Sequence, residues 1–130
     1  MRILLVEDNR LNRVLARDIL QRRGHEVVEA QDLDTARSAL GADAVDLVLL
    51  DIRVPGGGGE ALLAEIRAQP AHAALPVVAV TAQAMAGDRE RLLAAGFDGY
   101  IAKPISTRSF AADVEAIAER VKGCPSTSPG

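Results

Sequence analysis

Strand-like and helix-like segments alternate five times along the 130 residues of this chain. Apolar runs predict buried strands at residues 3–6, 47–50, 76–80 and 100–102, and a run with polar flanks predicts an edge strand at 26–29. Amphipathic stretches predict helices at about 9–23, 32–40, 59–68, 85–95 and 107–121. This alternation predicts an α/β fold, a (βα)5 doubly wound five-stranded parallel sheet with helices on both faces. Right-handed crossovers leave few topologies, of which the flavodoxin-like order 2-1-3-4-5 is the leading one.

Capping and helix-breaking residues predict where the helices begin and end. Gly24 and Gly96 should end the first and fourth helices. Either Asp32 or Asp34 should cap the second helix, and Ser106 should cap the last. The residues predicted to face the core are Leu11, Val14, Leu15 and Ile19 in the first helix, Met85, Leu92 and Leu93 in the fourth, and Phe110, Val114, Ile117 and Val121 in the last. In the fourth helix, some of these residues could instead form a partner surface with Tyr100.

Composition predicts one globular domain over residues 1–122, since 48% of the chain is hydrophobic and 25% charged. The Pro- and Ser-rich residues 123–130 predict a disordered tail or the start of a linker. The single cysteine, Cys124, leaves no internal disulfide and favours a reducing, cytoplasmic location. We expect no signal peptide and no membrane span, because no apolar run approaches the ~18 residues required.

The charge balance indicates which partners are unsuitable. The net charge is -3, the chain has three aromatic residues, and no stretch is strongly basic, so direct nucleic-acid binding is not expected. His25 and His72 lie far apart in predicted loops. We therefore expect both histidines at the surface and neither in a metal site.

Polar residues stand where the predicted strands end. Glu7 and Asp8 follow the first strand, Asp51 the third, Thr81 the fourth and Lys103 the fifth. The carboxyl ends of parallel strands share one edge of the sheet, where open α/β sheets bind ligands. Three carboxylates, a hydroxyl and a lysine should therefore converge there. Taken alone, Asp51 has a second interpretation, in which it merely ends a strand or caps a turn.

This set of groups favours phosphoryl transfer. Crowded carboxylates repel one another unless a cation compensates. Mg²⁺, with Mn²⁺ as a substitute, is a suitable ion because it takes one or two carboxylates together with phosphate oxygens. Asp51 would then act as a carboxylate nucleophile that forms an acyl phosphate. Lys103 would offset charge on the transferred group, and the Thr81 hydroxyl would donate to one of its oxygens.

Four short motifs contain these residues. They are Leu5-Val-Glu-Asp-Asn9, Leu50-Asp-Ile-Arg-Val-Pro55 with Gly59, Val80-Thr-Ala82 and Tyr100-Ile-Ala-Lys-Pro104. Together and in this order, they resemble the receiver (CheY-like) domain of response regulators in two-component signalling, over about residues 2–122. The one departure is the run of glycines from Gly56 to Gly59, which we interpret as a tolerated flexible loop.

The resemblance implies a role for each site residue. Asp51 would accept a phosphoryl group from a histidine kinase or a histidine phosphotransfer protein. The Mg²⁺ ligands would be Glu7, Asp8, Asp51 and the backbone carbonyl of Arg53. The residues that contact the phosphoryl group would be Thr81 and Lys103, with Tyr100 as the switch aromatic. The Lys103–Pro104 peptide bond would be cis.

Two finer similarities concern the subclass of receiver. Asp8-Asn-Arg-Leu-Asn-Arg13 is similar to the opening of receivers from hybrid kinases and phosphorelays. The segment from Ala79 to Asp88, together with Lys103-Pro-Ile-Ser106, is similar to single-domain receivers of the DivK type.

Three functional classes follow from these residues. The first is a phospho-switch, not an enzyme, that changes its affinity for an output protein at the face of residues 84–110. The second is a phosphotransfer intermediate or phosphate sink without conformational output. The third, a hydrolase of the haloacid dehalogenase type, would require an aspartate where this chain has Arg53. Arg53 and Gln83 each lie two residues past a site residue and are predicted to tune the phosphoryl lifetime.

Overall fold

Five strands form one parallel sheet in the computed structural model, which describes residues 1–42, 44–53, 58–72, 74–81, 88–103 and 105–126. The strands are β1 (Arg2–Val6), β2 (Glu26–Ala30), β3 (Leu47–Asp51), β4 (Val77–Thr81) and β5 (Gly99–Ala102). Their order across the sheet is β2-β1-β3-β4-β5, and all four pairings are parallel, as predicted. β3 and β4 are buried at all five of their residues, which explains why neither shows polar alternation.

Helices cover both faces of this sheet. They are α1 (Arg10–Arg22), α2 (Leu33–Ala42), α3 (Gly59–Ala68), α4 (Asp88–Ala95) and α5 (Phe110–Ser126), with a short 3-10 turn at Pro70–His72. One apolar cluster joins α1 and α5 to the sheet through residues such as Leu20 and Phe110. A second cluster joins α2, α3 and α4 to the opposite face through Leu40, Leu63 and Leu92. The protein is therefore doubly wound.

Short polar side chains begin the first two helices. The Oδ1 atom of Asn9 accepts a hydrogen bond from the amide of Asn12 at 3.1 Å. The Oδ1 atom of Asp32 accepts one from the amide of Thr35 at 2.8 Å, so Asp32 rather than Asp34 caps α2. This hydrogen bond lowers the pKa of Asp32.

Glycines end α1 and α4, as predicted. Gly24 has a φ of 88° and Gly96 a φ of 116°, which other residues rarely adopt. Each follows directly on the last turn of its helix, so the chain can leave the helix and enter the next strand.

Three exposed leucines correct the predicted apolar faces. Leu11 is 81% exposed and Leu15 36%, because α1 packs on the sheet through other positions, among them Ala16 and Ile19. Leu93 is 40% exposed, although its neighbour Leu92 is buried. Successive residues of a helix lie about 100° apart around its axis, so the short α4 presents one of the two leucines to the core and the other to solvent. Met85 lies outside the described residues.

His25 corrects another prediction. Its side chain is 11% exposed rather than at the surface. Nδ1 lies 3.1 Å from the N-terminal ammonium of Met1, and Nε2 lies 2.7 Å from Glu115 Oε2. His25 thereby connects the start of β1 to α5.

The last helix also differs from its predicted bounds. Ser106 Oγ accepts a hydrogen bond from the amide of Ser109 at 3.4 Å, and α5 begins at Phe110, about one turn later than predicted. The helix continues to Ser126, past its predicted end at about residue 121. Residues 127–130 lie outside the described part of the chain. No helix among the described residues is both long and apolar enough to cross a membrane.

Candidate functional site

The predicted polar residues meet at the carboxyl edge of the sheet. Asp51 and Thr81 are the last residues of β3 and β4, and Glu7 and Lys103 directly follow β1 and β5. Glu7, Asp51 and Thr81 are buried, with exposed fractions of 3%, 4% and 6%. Asp8 is exposed, so the cluster opens to solvent beside it.

Lys103 forms ion pairs with both buried carboxylates. Its Nζ atom lies 2.9 Å from Glu7 Oε1 and 3.0 Å from Asp51 Oδ2. The amide of Lys103 donates to the carbonyl of Thr81 at 2.8 Å, which holds the lysine beside the end of β4. The burial of two carboxylates is thereby offset by a cation that contacts both.

Backbone amides bond the remaining carboxylate oxygens. The amide of Arg53 donates to Asp51 Oδ1 at 3.0 Å, and the amide of Asn9 donates to Glu7 Oε2 at 3.1 Å. Each donor lies two residues after its acceptor, so the loops that follow β1 and β3 fold back on the carboxylates. Both side chains are consequently fixed in orientation.

The two buried carboxyl groups differ in acidity. Burial raises the pKa of Glu7, and its hydrogen bond with Asp51 raises it further. Burial also disfavours the ionised form of Asp51, but hydrogen bonds from Glu7, from the Arg53 amide and from Lys103 outweigh it and lower the pKa of Asp51. Asp51 is therefore the more acidic member of the pair. Burial lowers the pKa of Lys103, but Glu7 and Asp51 more than reverse this effect, so the lysine stays cationic.

The acidic cluster has the composition of a magnesium site. One carboxylate oxygen from each of Glu7, Asp8 and Asp51 lies within 4.8 Å of the other two. Oxygen donors of this kind suit a hard divalent cation, and the exposed Asp8 leaves a side on which water can complete the coordination. The residues therefore fit Mg²⁺.

Other predicted site residues lie further away or outside the described chain. The Arg53 side chain is exposed, and its backbone amide bonds Asp51. Tyr100 is partly buried against the core, and it pairs with Ala79 across β4 and β5. Side chains alternate along a strand, so Thr81, two residues after Ala79, lies on the same face of the sheet as Tyr100. Gln83 and Pro104 lie outside the described residues.

Sequence reasoning missed the part of Arg13 in this site. Its Nη1 atom donates to the backbone carbonyl of Glu7 at 2.9 Å, and its Nε atom donates to Glu29 at 3.2 Å. The available signal was the position of Arg13 at the end of the motif Asp8-Asn-Arg-Leu-Asn-Arg13, which resembles the opening of other receivers. Periodicity did not identify its partners, because a contact with a backbone carbonyl leaves no trace in the residue pattern.

Comparison with known proteins identifies the family. Residues 3–115 match the family model of the response regulator receiver domain. The chain belongs to this family. The prediction from the four motifs is confirmed, including the similarity to receivers of the hybrid-kinase and DivK types.

Two relatives illustrate the range of proteins that contain such a receiver. The chain is 42% identical over 113 residues to the sensor protein GacS of Pseudomonas syringae pv. syringae, covering 85% of this chain and 12% of that protein. It is 38% identical over 112 residues to the polar-differentiation response regulator DivK of Brucella anthropi, covering 83% of this chain and 88% of DivK. It spans about half the length of several other curated relatives.

A solved structure supports the fold. NtrX from Brucella abortus superimposes with a TM-score of 0.87 and 32% sequence identity, over 98% of this receiver and 29% of the NtrX chain. The predicted CheY-like, flavodoxin-like topology is confirmed.

Proposed function

We propose that this receiver accepts a phosphoryl group on Asp51 from the phosphohistidine of a histidine kinase or a histidine phosphotransfer protein. The observation that carries this proposal is the setting of Asp51, a buried carboxylate with one oxygen 3.0 Å from Lys103 Nζ and the other 3.0 Å from the Arg53 amide. An anionic oxygen at the open edge of a parallel sheet is available as a nucleophile. The chain then acts as a phosphoacceptor that promotes its own modification, and not as an enzyme with a separate substrate.

The residues divide the chemistry between them. An Asp51 oxygen forms a bond to phosphorus while the phosphorus–nitrogen bond of the donor breaks and the imidazole takes the electron pair. Glu7, Asp8, Asp51 and the carbonyl of Arg53 would hold Mg²⁺, which when bound neutralises phosphoryl oxygens. Lys103, 3.0 Å from Asp51, would pair with another phosphoryl oxygen. The hydroxyl of Thr81 would donate to a third.

Intact-mass measurement tests the acceptor. With Mg²⁺ and acetyl phosphate, the wild-type receiver should gain one phosphoryl group, and Asp51→Asn or omission of Mg²⁺ should prevent the gain. Asp34→Asn is the matched control, because the Asp34 side chain is 94% exposed and belongs to α2, away from the acidic cluster. Full labelling of Asp51→Asn would refute the assignment.

A groove beside Tyr100 supports a switched output surface. It encloses about 600 Å³ between β5, α4 and α5, and its lining includes Leu93, Tyr100 and Phe110. If Thr81 turns toward a phosphoryl oxygen, Tyr100 on the same face of the sheet can move inward and reshape this groove. An output protein would then bind at the face of residues 84–110 with changed affinity.

NMR spectroscopy separates this switch from a phosphate sink. Adding Mg²⁺ and beryllofluoride, a mimic of the aspartyl phosphate, should shift the resonances of Tyr100 and of the start of α5 as well as those near Asp51. Shifts confined to the loops around Asp8 and Asp51 would instead favour a phosphotransfer intermediate without conformational output.

Two side chains, those of Arg53 and Gln83, are expected to affect how long the phosphoryl group stays on Asp51. Arg53 is exposed next to Asp51, where its side chain can reach an attacking water. We expect Arg53→Ala and Gln83→Ala to change the dephosphorylation rate while Asp51 remains the acceptor. Unchanged decay in both variants would show that neither side chain takes part.

A further inference from the structure

Arg13 joins three structural elements beside the acidic cluster. It lies in the first turn of α1, and its amide makes that helix's first backbone hydrogen bond, to Asn9 at 2.9 Å. Its side chain is 15% exposed. The guanidinium donates through Nη1 to the carbonyl of Glu7 and through Nε to Glu29 on β2. Planar fork geometry lets one arginine bond both partners at once.

The bond to the Glu7 carbonyl fixes a peptide between two candidate metal ligands. That carbonyl belongs to the peptide that joins Glu7 to Asp8, so its direction sets where the Asp8 side chain begins. The amide of Glu7 is held from the other side by the carbonyl of Ala30 at 2.9 Å. With both backbone groups of Glu7 bonded, this turn has little freedom to rotate.

Arg17 is a useful comparison for Arg13, because it also contacts Glu29 but has Asp18 as its other partner instead of the Glu7 carbonyl. Arg17 Nη1 lies 3.2 Å from Glu29 Oε2, and its guanidinium also bonds Asp18. Neither of these two partners belongs to the acidic cluster. Arg17 thus shares a carboxylate with Arg13 but not the contact with the acidic loop, which makes the pair a matched comparison.

We propose that Arg13 is a positioning residue for the metal site, which holds the Glu7–Asp8 peptide in the orientation that Mg²⁺ binding requires. This inference rests on the proposed function, because it takes Glu7 and Asp8 as metal ligands. Groups that hydrogen-bond to metal ligands and fix their orientation lower metal affinity by roughly 10- to 100-fold when they are removed. Arg13 acts on a backbone carbonyl rather than on a ligand oxygen, so we expect the lower end of that range.

NMR titration with Mg²⁺ tests the role in the unphosphorylated protein. Arg13→Ala should weaken Mg²⁺ binding about tenfold, and Arg17→Ala should leave the affinity within about twofold of wild type. In the metal-free protein, Arg13→Ala should also shift the amide resonances of Asp8 and Asn9, and Arg17→Ala should not. If Arg13 only stabilises the fold, Arg13→Ala should lower the thermal midpoint and leave the Mg²⁺ affinity of the folded protein unchanged.

Arg13→Lys keeps the test decisive if the alanine variant does not fold. Lysine retains the charge and most of the apolar stem, but one ammonium does not reproduce the fork, so we expect Mg²⁺ affinity at least about threefold below wild type. Wild-type affinity in Arg13→Lys, or in folded Arg13→Ala, would overturn the inference.

A further control separates this inference from the proposed function. If Mg²⁺ binds wild type and Asp8→Asn equally, the metal site itself is wrong and the proposed function fails. If Asp8→Asn loses Mg²⁺ binding while Arg13→Ala keeps it, only the role of Arg13 fails.

Discussion

Replacing glycine by alanine should change the stability of this protein differently at Gly59, Gly99 and Gly41. An alanine Cβ at Gly59 would lie 2.8 Å from the carbonyl oxygen of Asp51 and 3.0 Å from Ile52 Cα, both backbone atoms. At Gly99 it would lie 2.8 Å from Ile117 Cδ1, the end of a flexible side chain. At Gly41 in α2, it would meet no heavy atom within 4 Å.

The magnitudes follow from what each methyl group meets. Overpacking that displaces backbone costs about 1–3 kcal/mol, and Gly59→Ala should lie near the upper end because the end of β3 is paired with β4 at Asp51. Gly99→Ala should cost about 1 kcal/mol, since Ile117 can give way by a small side-chain rotation. Gly41→Ala should stabilise the protein by about 0.5 kcal/mol, because alanine is the better helix former.

Urea unfolding and intact-mass labelling together measure this series. Stability should fall in the order Gly41→Ala, wild type, Gly99→Ala, Gly59→Ala. Gly59→Ala should also slow acetyl phosphate labelling, because the displaced backbone carries the acceptor Asp51, and Gly99→Ala should not. Combining Gly99→Ala with Ile117→Val should recover part of the loss. Equal stability of the Gly59 and Gly41 variants would refute the reasoning.

Two further predictions concern the surface. Hydrogen bonds from Arg23 and His25 lower the pKa of Glu115 from 4.5 to about 2. A carboxylate with a lowered pKa stabilises the folded state above its unfolded pKa and loses that effect as pH falls, so Glu115→Gln should cost about 1 kcal/mol at pH 7 after allowance for solvent screening. Urea unfolding should show less than half of that cost at about pH 3, and an equal cost at both pH values would contradict the assignment. Leu11→Ala should slow transfer from a phosphohistidine protein by about fivefold but not labelling by acetyl phosphate, because Leu11 is 81% exposed beside the acidic loop. Leu93→Ala, at a 40% exposed leucine on α4, is the matched control, and equal slowing by both variants would refute a donor contact specific to Leu11.

Strand ends were the most predictable feature of this fold. A buried strand requires an unbroken apolar run, and Glu7 and Asp51 interrupt such runs at the carboxyl edge of the sheet. Once the strands are parallel, their polar end residues must share an edge, so the convergence of Thr81 and Lys103 with the carboxylates followed from topology alone. The strand order itself came from the small number of topologies known for such sheets.

Contacts between distant residues were not predictable in the same way. The helical period placed Leu11 on the apolar face of α1, but the folded protein leaves this leucine 81% exposed. His25 resembled an ordinary loop residue, and its burial depends on Glu115, which is 90 residues further along the chain. Arg13 reaches a backbone carbonyl, a partner that every residue possesses and that no pattern of side chains marks.

The carboxylate oxygens of Glu7 and Asp51 already have hydrogen-bond or ion-pair partners within the protein, and this governs how an ion can bind. Lys103 bonds one oxygen of Glu7 and one of Asp51, and the amides of Asn9 and Arg53 bond the other two. Among the described residues, no buried side-chain nitrogen or oxygen lacks a hydrogen-bond partner. A divalent ion would therefore compete with an existing cation, and its net affinity would be the difference between two favourable sets of contacts. Each contact that Lys103 gives up to the ion frees its ammonium for a phosphoryl oxygen, so metal binding and phosphoryl binding should favour one another at this site.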